Sequence, residues 1–531
     1  MGSTRDESLL REVLRCLYTS IELQRKPQKL PTESPTESNA AEATAMFYRK
    51  TLRKLVDSHP ENFEEGEEFL LDPAGLSFVM QRLAKVSLIE TKRDVIGDAF
   101  ETFIGNHVRG QEGQFFTPKN AVELLVKAVN PAIGETVIDP ACGAGGFLGA
   151  TVQHHLNNGA TNRQIKSFVN KRLFGVDKDN YLAQLARTHI ALLASENPGI
   201  PCGDSLAWRD EQGEMIDTIP GNGKYDIVLT NPPFGSKIVA ATGEDLASFK
   251  LAYKWKLNKA TGTFSQSDKL QLRNIAPQVL FLERCIQLAK PGGKIGLVLP
   301  ESLVSSKTHR YVMDFMRSEC HVDLVAGMPE NLFKTSGKGG THTKTCLLVL
   351  RKKVDRQEQS GQSKLFMAEA KWCGHDSRGK SIPHDDLGTI TENYLNFKAG
   401  KRISNTPMGF LVPDRSIAQN VLAPRYYDPS VKAELRALAK THDLIVLGDL
   451  VNSGILKLQT GHEVGKLAYG TGTIPFVRTS DISSWEIKLD PKHGLSEEIF
   501  SQYSAKQDVQ PDDILLVRDG TYLIGTCGIV T

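Results

Sequence analysis

The spacing of hydrophobic positions changes twice along the chain. Apolar residues recur at helical spacing over 7–23 (Leu9, Leu10, Val13, Leu14, Leu17, Ile21), and again over 41–55, 75–84 and 94–104. These patterns predict a helical N-terminal region, residues 1–112. The Pro/Ser/Thr/Glu-rich stretch 26–39 inside it cannot build a core and reads as a linker or loop. From residue 135 short apolar runs alternate with helical patterns, predicting strands at 135–139, 173–177, 200–204, 225–229, 294–299, 322–327 and 344–350. Such alternation specifies an α/β unit with a doubly wound, mostly parallel sheet, assigned to residues 113–415. The last two strands have no long helix between them and should pair antiparallel. Beyond 416 the pattern becomes short strands broken by Gly and Asp turns, predicting a β-rich third region, 416–531.

Composition narrows the function classes without choosing one. The 531 residues carry 64 Lys+Arg against 62 Asp+Glu, so any nucleic-acid surface must be a local patch. Eight cysteines without a C-x-x-C spacing argue for reduced thiols in a cytoplasmic protein rather than for a metal or disulfides. With no signal peptide and no apolar run near 18 residues, neither secretion nor a membrane span is expected.

Candidate chemistry gathers at the ends of the expected strands. The first strand runs into Asp139-Pro140-Ala141-Cys142-Gly143-Ala144-Gly145-Gly146, and a helix follows. Glycines let a backbone turn tightly and approach a ligand, which makes this a cofactor loop. It is G-x-G-G rather than the dinucleotide G-x-G-x-x-G, and Asp139 at the strand tip suits a cationic ammonium better than a pyrophosphate. S-adenosylmethionine therefore fits better than NAD. Asp177 ends the second strand, where a carboxylate suits a ribose diol or serves as a turn acid. Asp204 ends the third, within reach of an adenine amino group. After the fourth come Asn231, Pro232, Pro233 and Phe234. Two prolines donate no backbone hydrogen bonds and hold the chain extended, leaving the Asn231 side chain and the Pro232 carbonyl as fixed acceptors for an amino group. A plain Asn-Pro turn is the competing reading.

Two further stretches matter. Gly113-Gln114-Phe115-Phe116-Thr117-Pro118 places Thr117 as cap and Pro118 as first residue of a helix whose N-terminus can take a carboxylate or be no more than a cap. Residues 235–270 form a long connection with Lys237, Lys250, Lys254, Lys256, Lys259 and Lys269 interleaved with Phe249, Tyr253 and Trp255. That mixture suits a nucleic-acid backbone with exposed bases, or a solvated loop.

Taken together, residues 75–400 resemble the amino-methyltransferases of DNA modification, and specifically the modification subunits of type I restriction-modification systems. Gln114–Pro118, Asp139–Phe147, Asp177, Asp204, Asn231–Phe234 and, more weakly, Gly374-His375-Asp376 carry the resemblance. It implies a seven-stranded Rossmann-like fold and S-adenosylmethionine as cofactor. The methionine end would be held by Thr117, Asp139, Gly143 and Gly145, the ribose by Asp177 and the adenine amino group by Asp204, with Phe116, Pro118 and Ala141 also at the cofactor. The implied substrate is double-stranded DNA, its target adenine flipped out so that Asn231 and Pro232 accept the N6 hydrogens and Phe234 stacks on the base. From Arg425-Tyr426-Tyr427-Asp428 onward the chain is similar to target-recognition domains of specificity subunits. There Arg478 and Arg518 are candidates for DNA contacts or for internal salt bridges. The chain stops at Ile529-Val530-Thr531 inside an expected strand, so this domain is expected to be truncated or completed by a partner. Separately, the resemblance implies a specificity subunit, a nuclease subunit or both as partners of the protein.

Competing functions are methylation of an RNA or protein amide nitrogen, and a DNA-binding specificity protein with an inactive core. Glu90-Thr91-Lys92, with Asp72 upstream, also matches a nuclease D…E-x-K pattern but lacks the strand pair such a site needs.

Overall fold

The computed structural model of the chain describes residues 5–25, 38–58, 63, 66–88, 116–194, 196, 198–235, 243–271, 275–335, 343–355, 364–403, 406–417, 421–483, 485–504, 507, 509–518 and 525–531. Packing divides it into two compact units, 1–432 and 433–531.

The first unit opens with helices α1 (Arg5–Arg25), α2 (Ser38–Ser58) and α3 (Pro73–Ala84). Asp72 caps α3 by accepting from the Gly75 amide at 2.6 Å, with proline as the first helical residue. Buried Arg15 meets Glu12 at 2.8 Å and Glu67 at 2.9 Å, and Glu12 also accepts from the Leu70 and Leu71 amides. Each buried charge is thereby compensated. The helix expected over 94–104, residues 26–37 of the expected linker, Glu90–Lys92 and Gly113–Phe115 lie outside the described residues, while residues 38 and 39, expected in the linker, open α2.

The sheet follows. Its strands are β1 (Val137–Asp139), β2 (Leu173–Gly175), β3 (Tyr225–Thr230), β4 (Ala289–Pro300), β5 (Cys320–Gly327), β6 (Thr345–Lys352), β7 (Lys364–Glu369) and β8 (Phe410–Pro413). They lie in the order β8-β7-β5-β6-β4-β3-β1-β2. Neighbours among β1, β2, β3 and β4 pair parallel across the sheet, as do β5 and β7. β6 inserts antiparallel between β4 and β5, so the expected antiparallel pairing is met. Eight strands replace the expected seven. The expected strand 200–204 gives only an isolated bridge at Cys202, beside another at Gly199, and a two-residue strand at 203–204, because Pro201 lacks a donor and the chain turns back at once, whereas β7 and β8 extend the far edge.

Helices α4 (Lys119–Val129), α5 (Gly146–Asn157), α6 (Asn162–Arg172), α7 (Asn180–Ala194) and α10 (Leu387–Lys398) cover one face. The other is covered by α8 (Pro277–Leu288) and α9 (Arg310–Glu319). Strand alternation sends Ile227 and Leu229 of β3 into the first core and Val228 into the second, and an irregularity in the pairing between Tyr225 and Ile227 turns Tyr225 into the second as well. Leu14 and Ile21 of α1 pack with Leu182 and Leu185 of α7, setting the helical region against the helix behind the glycine loop.

In the second unit the described residues hold four short strands, 482–483 with 486–487 and 514–516 with 527–529, besides helices Leu447–Asn452 and Glu497–Ser504. This is less strand than the β-rich expectation, because the turn residues that signalled strand ends cut each pairing to two or three residues. Residues 447–450, within the stretch expected to be β-rich, lie in a helix. No helix among the described residues is long and apolar enough to cross a membrane.

Candidate active site

Carboxyl ends of parallel strands gather on one rim of the sheet, and the acids predicted from sequence stand there. Asp139 closes β1 and is 1 % exposed; its Oδ1 accepts from the Ala141 amide at 3.0 Å. Asp177 lies two residues past β2 and latches the loop, its Oδ2 accepting from the Gly143 amide at 2.8 Å and its Oδ1 from the Asp179 amide at 3.0 Å. Main-chain bonds from Val176 to Asp139 and from Cys142 to Val176 stitch the two strand tips together beyond the regular sheet. A parallel bridge joins Asp177 to Cys202, which brings Asp204 to the adjoining position. Asp204 differs from the other two. Lys178 holds its Oδ2 at 2.8 Å and the Leu206 amide its Oδ1 at 2.9 Å.

The loop has the bare backbone that its glycines promised. Gly143 and Gly145 adopt φ of +51° and +80°, and Gly145 is the residue from which α5 departs. A Cβ on Gly145 would stand 3.2 Å from the Ala186 backbone of α7. Gly145→Ala is therefore expected to cost about 1–2 kcal/mol from the left-handed backbone alone, read as a lower melting temperature than wild type. Phe116 lies over the loop, its ring 3.9 Å from where a Gly143 side chain would begin. Thr117 is not the helix cap. Pro118 takes that place, since α4 starts at Lys119 and the Pro118 carbonyl accepts from the Ala121 and Val122 amides.

Burial sets the electrostatics. It pushes the Asp139 carboxyl up to about 7, further raised by Asp177 and held back by the Thr230 hydroxyl and the Ala141 amide. It likewise raises Asp177 to about 6, against backbone amides that lower it. Carboxylates so enclosed call for a cationic guest.

Beside this loop β3 delivers Asn231, Pro232, Pro233 and Phe234. Thr230 is fully buried, Asn231 is part-exposed with its Oδ1 enclosed, and Pro232 is buried. Phe234, 8 % exposed, sets its ring edge-on to Phe333 at 6.0 Å and 75°. Phe333 escaped the sequence reading because a lone aromatic between strands carries no spacing signal. His189 escaped too. It is buried in mid-helix α7, burial lowers it to about 4, and its Nδ1 reaches the Ala144 carbonyl at 3.1 Å. Gly149 makes room for it, since a Cβ there would fall 2.7 Å from the imidazole.

Further along the rim Glu301, just past β4, is tied to Lys344 at 3.4 Å and to Arg425, while Lys344 meets Glu369 at 2.5 Å. The weak motif at 374–376 also has a mechanical role. His375 Nε2 meets the Asn331 carbonyl at 2.7 Å, Asn331 Nδ2 donates to the His375 carbonyl at 2.7 Å, and Asn120 of α4 donates to the Cys373 carbonyl at 3.1 Å. A small hairpin, Cys373–His375 with Ser381–Asp385, thus clasps α4 to the loop bearing Phe333. In the second unit Arg478 is a salt-bridge residue, bidentate to Asp481 at 2.7 and 3.1 Å.

A reversed strand inserted beside the last parallel ones, an acid-and-glycine loop at the first strand tip and Asn-Pro-Pro-Phe at β3 define a methyltransferase of the Rossmann-like kind. Residues 91–412 match the model of the N-6 DNA Methylase family. The chain belongs to that family. It is 24% identical over 383 residues to the type I restriction enzyme EcoEI methylase subunit of Escherichia coli, covering 66% of this chain and 69% of that subunit. To the EcoKI methylase subunit of E. coli K12 it is 24% identical over 335 residues, covering 57% of this chain and 55% of that subunit. Among solved structures, a chain from a study of type I R-M system assembly and conformational transition superposes with a TM-score of 0.56 at 18% identity, covering 85% of this chain and 94% of that one. The type IIG restriction endonuclease BpuSI does so with 0.51 at 14%, covering 95% and 56% respectively. At those identities the likeness is one of fold.

Proposed function

We propose that this chain transfers a methyl group from S-adenosylmethionine to the N6 of adenine in double-stranded DNA, as the modification component of a restriction-modification system. The observation that carries this is the adjacency, on one rim, of a buried carboxylate (Asp139) and a part-buried one (Asp177) around a bare-backbone loop and an Asn-Pro-Pro-Phe strand end. The residues fit the cofactor: Asp139 and Asp177 favour a cationic partner, Gly143 keeps the loop backbone bare beside Phe116, and Gly145 lets the loop close against α7. Thr117, Asp139, Gly143 and Gly145 would hold its methionine end and Asp177 its ribose, with Phe116, Pro118 and Ala141 also at the cofactor. Asp204, already held by Lys178, would take the adenine amino group with an oxygen lone pair left over. When bound, the cofactor supplies an electrophilic methyl group on a sulfonium.

The chain's own residues then have positional work. Extruding the base from the duplex costs about a few kcal/mol, offset by interactions in the site. Asn231 Oδ1 and the Pro232 carbonyl accept the two N6 hydrogens, which draws the nitrogen lone pair out of conjugation with the ring and leaves it free to take the methyl group. Pro232 and Pro233 keep both acceptors rigid, and Phe333 braces Phe234 against the base. Catalysis of this type is alignment plus fixed acceptors. The subunit status of the EcoEI and EcoKI relatives supports reading the chain as one part of an assembly with a specificity subunit.

Incubating the chain with methyl-labelled cofactor and duplex DNA, then digesting to nucleosides, tests the reading. Label is expected on N6-methyladenine, and label on cytosine alone, or on RNA or protein instead of DNA, would sink it.

A further inference from the structure

Between the Asn231 motif and α8 the expected long loop is a β-hairpin, Tyr253–Leu257 paired with Phe264–Leu270. Its inner face is anchored. The Trp255 ring lies 6.1 Å from Tyr311 and 6.2 Å from Phe315 of α9, and its Nε1 donates to the Lys250 carbonyl at 3.2 Å. At the root Leu270 packs into the small apolar cluster of Leu206, Phe249 and Leu280 that Ala141 of the glycine loop also joins.

The outer face differs in kind. Side chains alternate along a strand, so Lys254 and Lys256 point away from Trp255; the pairing of Tyr253 with Leu270 and of Lys256 with Ser265 puts Lys269 on their side. All three are exposed, as is Lys259 in the turn, and Thr261, Thr263 and Ser265 are exposed with them. The hairpin sequence holds one acid, Asp268. Among the described residues none of the four lysines forms an ion pair. Like charges held side by side on a sheet face repel, so this surface is relieved when a polyanion covers it.

We propose that this face binds the phosphate backbone of duplex DNA flanking the target base. The proposal rests on DNA being the substrate, but its readout is binding and needs no methyl transfer. Lysines supply point charges to phosphates, and hydroxyls interleaved with them donate to the same oxygens. Removing one lysine–phosphate pair should reduce the slope of log affinity against log salt by about 0.9.

The test compares the full wild-type chain with Lys254→Gln/Lys256→Gln/Lys269→Gln and with a control, Lys85→Gln/Lys171→Gln/Lys364→Gln, on exposed lysines elsewhere. Fluorescence anisotropy of a labelled duplex across a salt series reads the slope, and calorimetry reads S-adenosylmethionine affinity. The hairpin variant is expected to lose about 2–3 units of slope, with cofactor affinity and melting temperature unchanged. Equal slopes for hairpin and control variants, or wild-type binding indifferent to salt, overturn the proposal. A reduced hairpin slope supports it even if the wild-type chain methylates no adenine, a result that would sink the proposed activity instead.

Discussion

Asn231→Ala is expected to lower methyl transfer to DNA by about 10²–10³-fold, the usual loss when one fixed polar group facing the reacting atom is removed. S-adenosylmethionine affinity should stay within about twofold of wild type, because the substitution removes a group made for the transition state rather than for the cofactor. The reason is architectural. Asn231 leaves the tip of β3, whereas the acids proposed to hold the cofactor leave β1, β2 and the segment beside β2. Truncation does not disturb the core, since the neighbouring Thr230 and Pro232 keep the strand end buried. Single-turnover transfer of labelled methyl, read beside calorimetric titration of the cofactor, separates the two quantities. Wild-type turnover by the variant, or turnover and cofactor affinity lost together, would contradict the role assigned to Asn231.

Asp139→Asn is expected to make the protein more stable and less able to bind its cofactor. Burial raises the folded-state value of Asp139 from 3.8 to about 7. A carboxyl whose folded value lies above its unfolded value binds its proton more tightly when folded. Its contribution to stability is therefore fully present below about pH 4 and is lost as pH rises through about 7. At pH 8, ionising Asp139 without a bound cation costs roughly 4 kcal/mol, from about three units at ~1.4 kcal/mol each. Asparagine keeps the acceptor for the Ala141 amide and never ionises. Its melting temperature should exceed wild type at pH 8, and the gain should shrink towards pH 4. A cationic ligand loses a charged partner, so cofactor affinity should fall by about ten- to a hundredfold. Wild-type affinity should rise between pH 5 and 8, as Asp177 (about 6) and then Asp139 lose their protons. Thermal melts and titrations at both pH values check this; an unchanged melting temperature at pH 8 would refute the stability half.

The strand-end acids, the glycine loop and the Asn-Pro-Pro-Phe motif were legible in the sequence because each is local. A strand tip is marked where an apolar run stops at an acid, and glycine or proline there restricts the backbone whatever the rest of the fold does. Alternation of strand and helix likewise determined the parallel sheet and the antiparallel entry of β6. The hairpin at 253–270 was half legible, since Tyr253, Trp255 and Leu257 alternate, but its lysines drew it towards a loop. What only the tertiary structure decided is which residues meet. Phe333 braces Phe234, His189 supports Ala144, Asn331 clasps His375 and Lys344 joins Glu301 to Glu369, all between segments far apart in the chain. The same holds for Asp139. Its chemistry can be named from its position in the sequence, but its raised pKa comes from the walls that later strands and helices build around it, and desolvation is a property of enclosure that no single stretch contains.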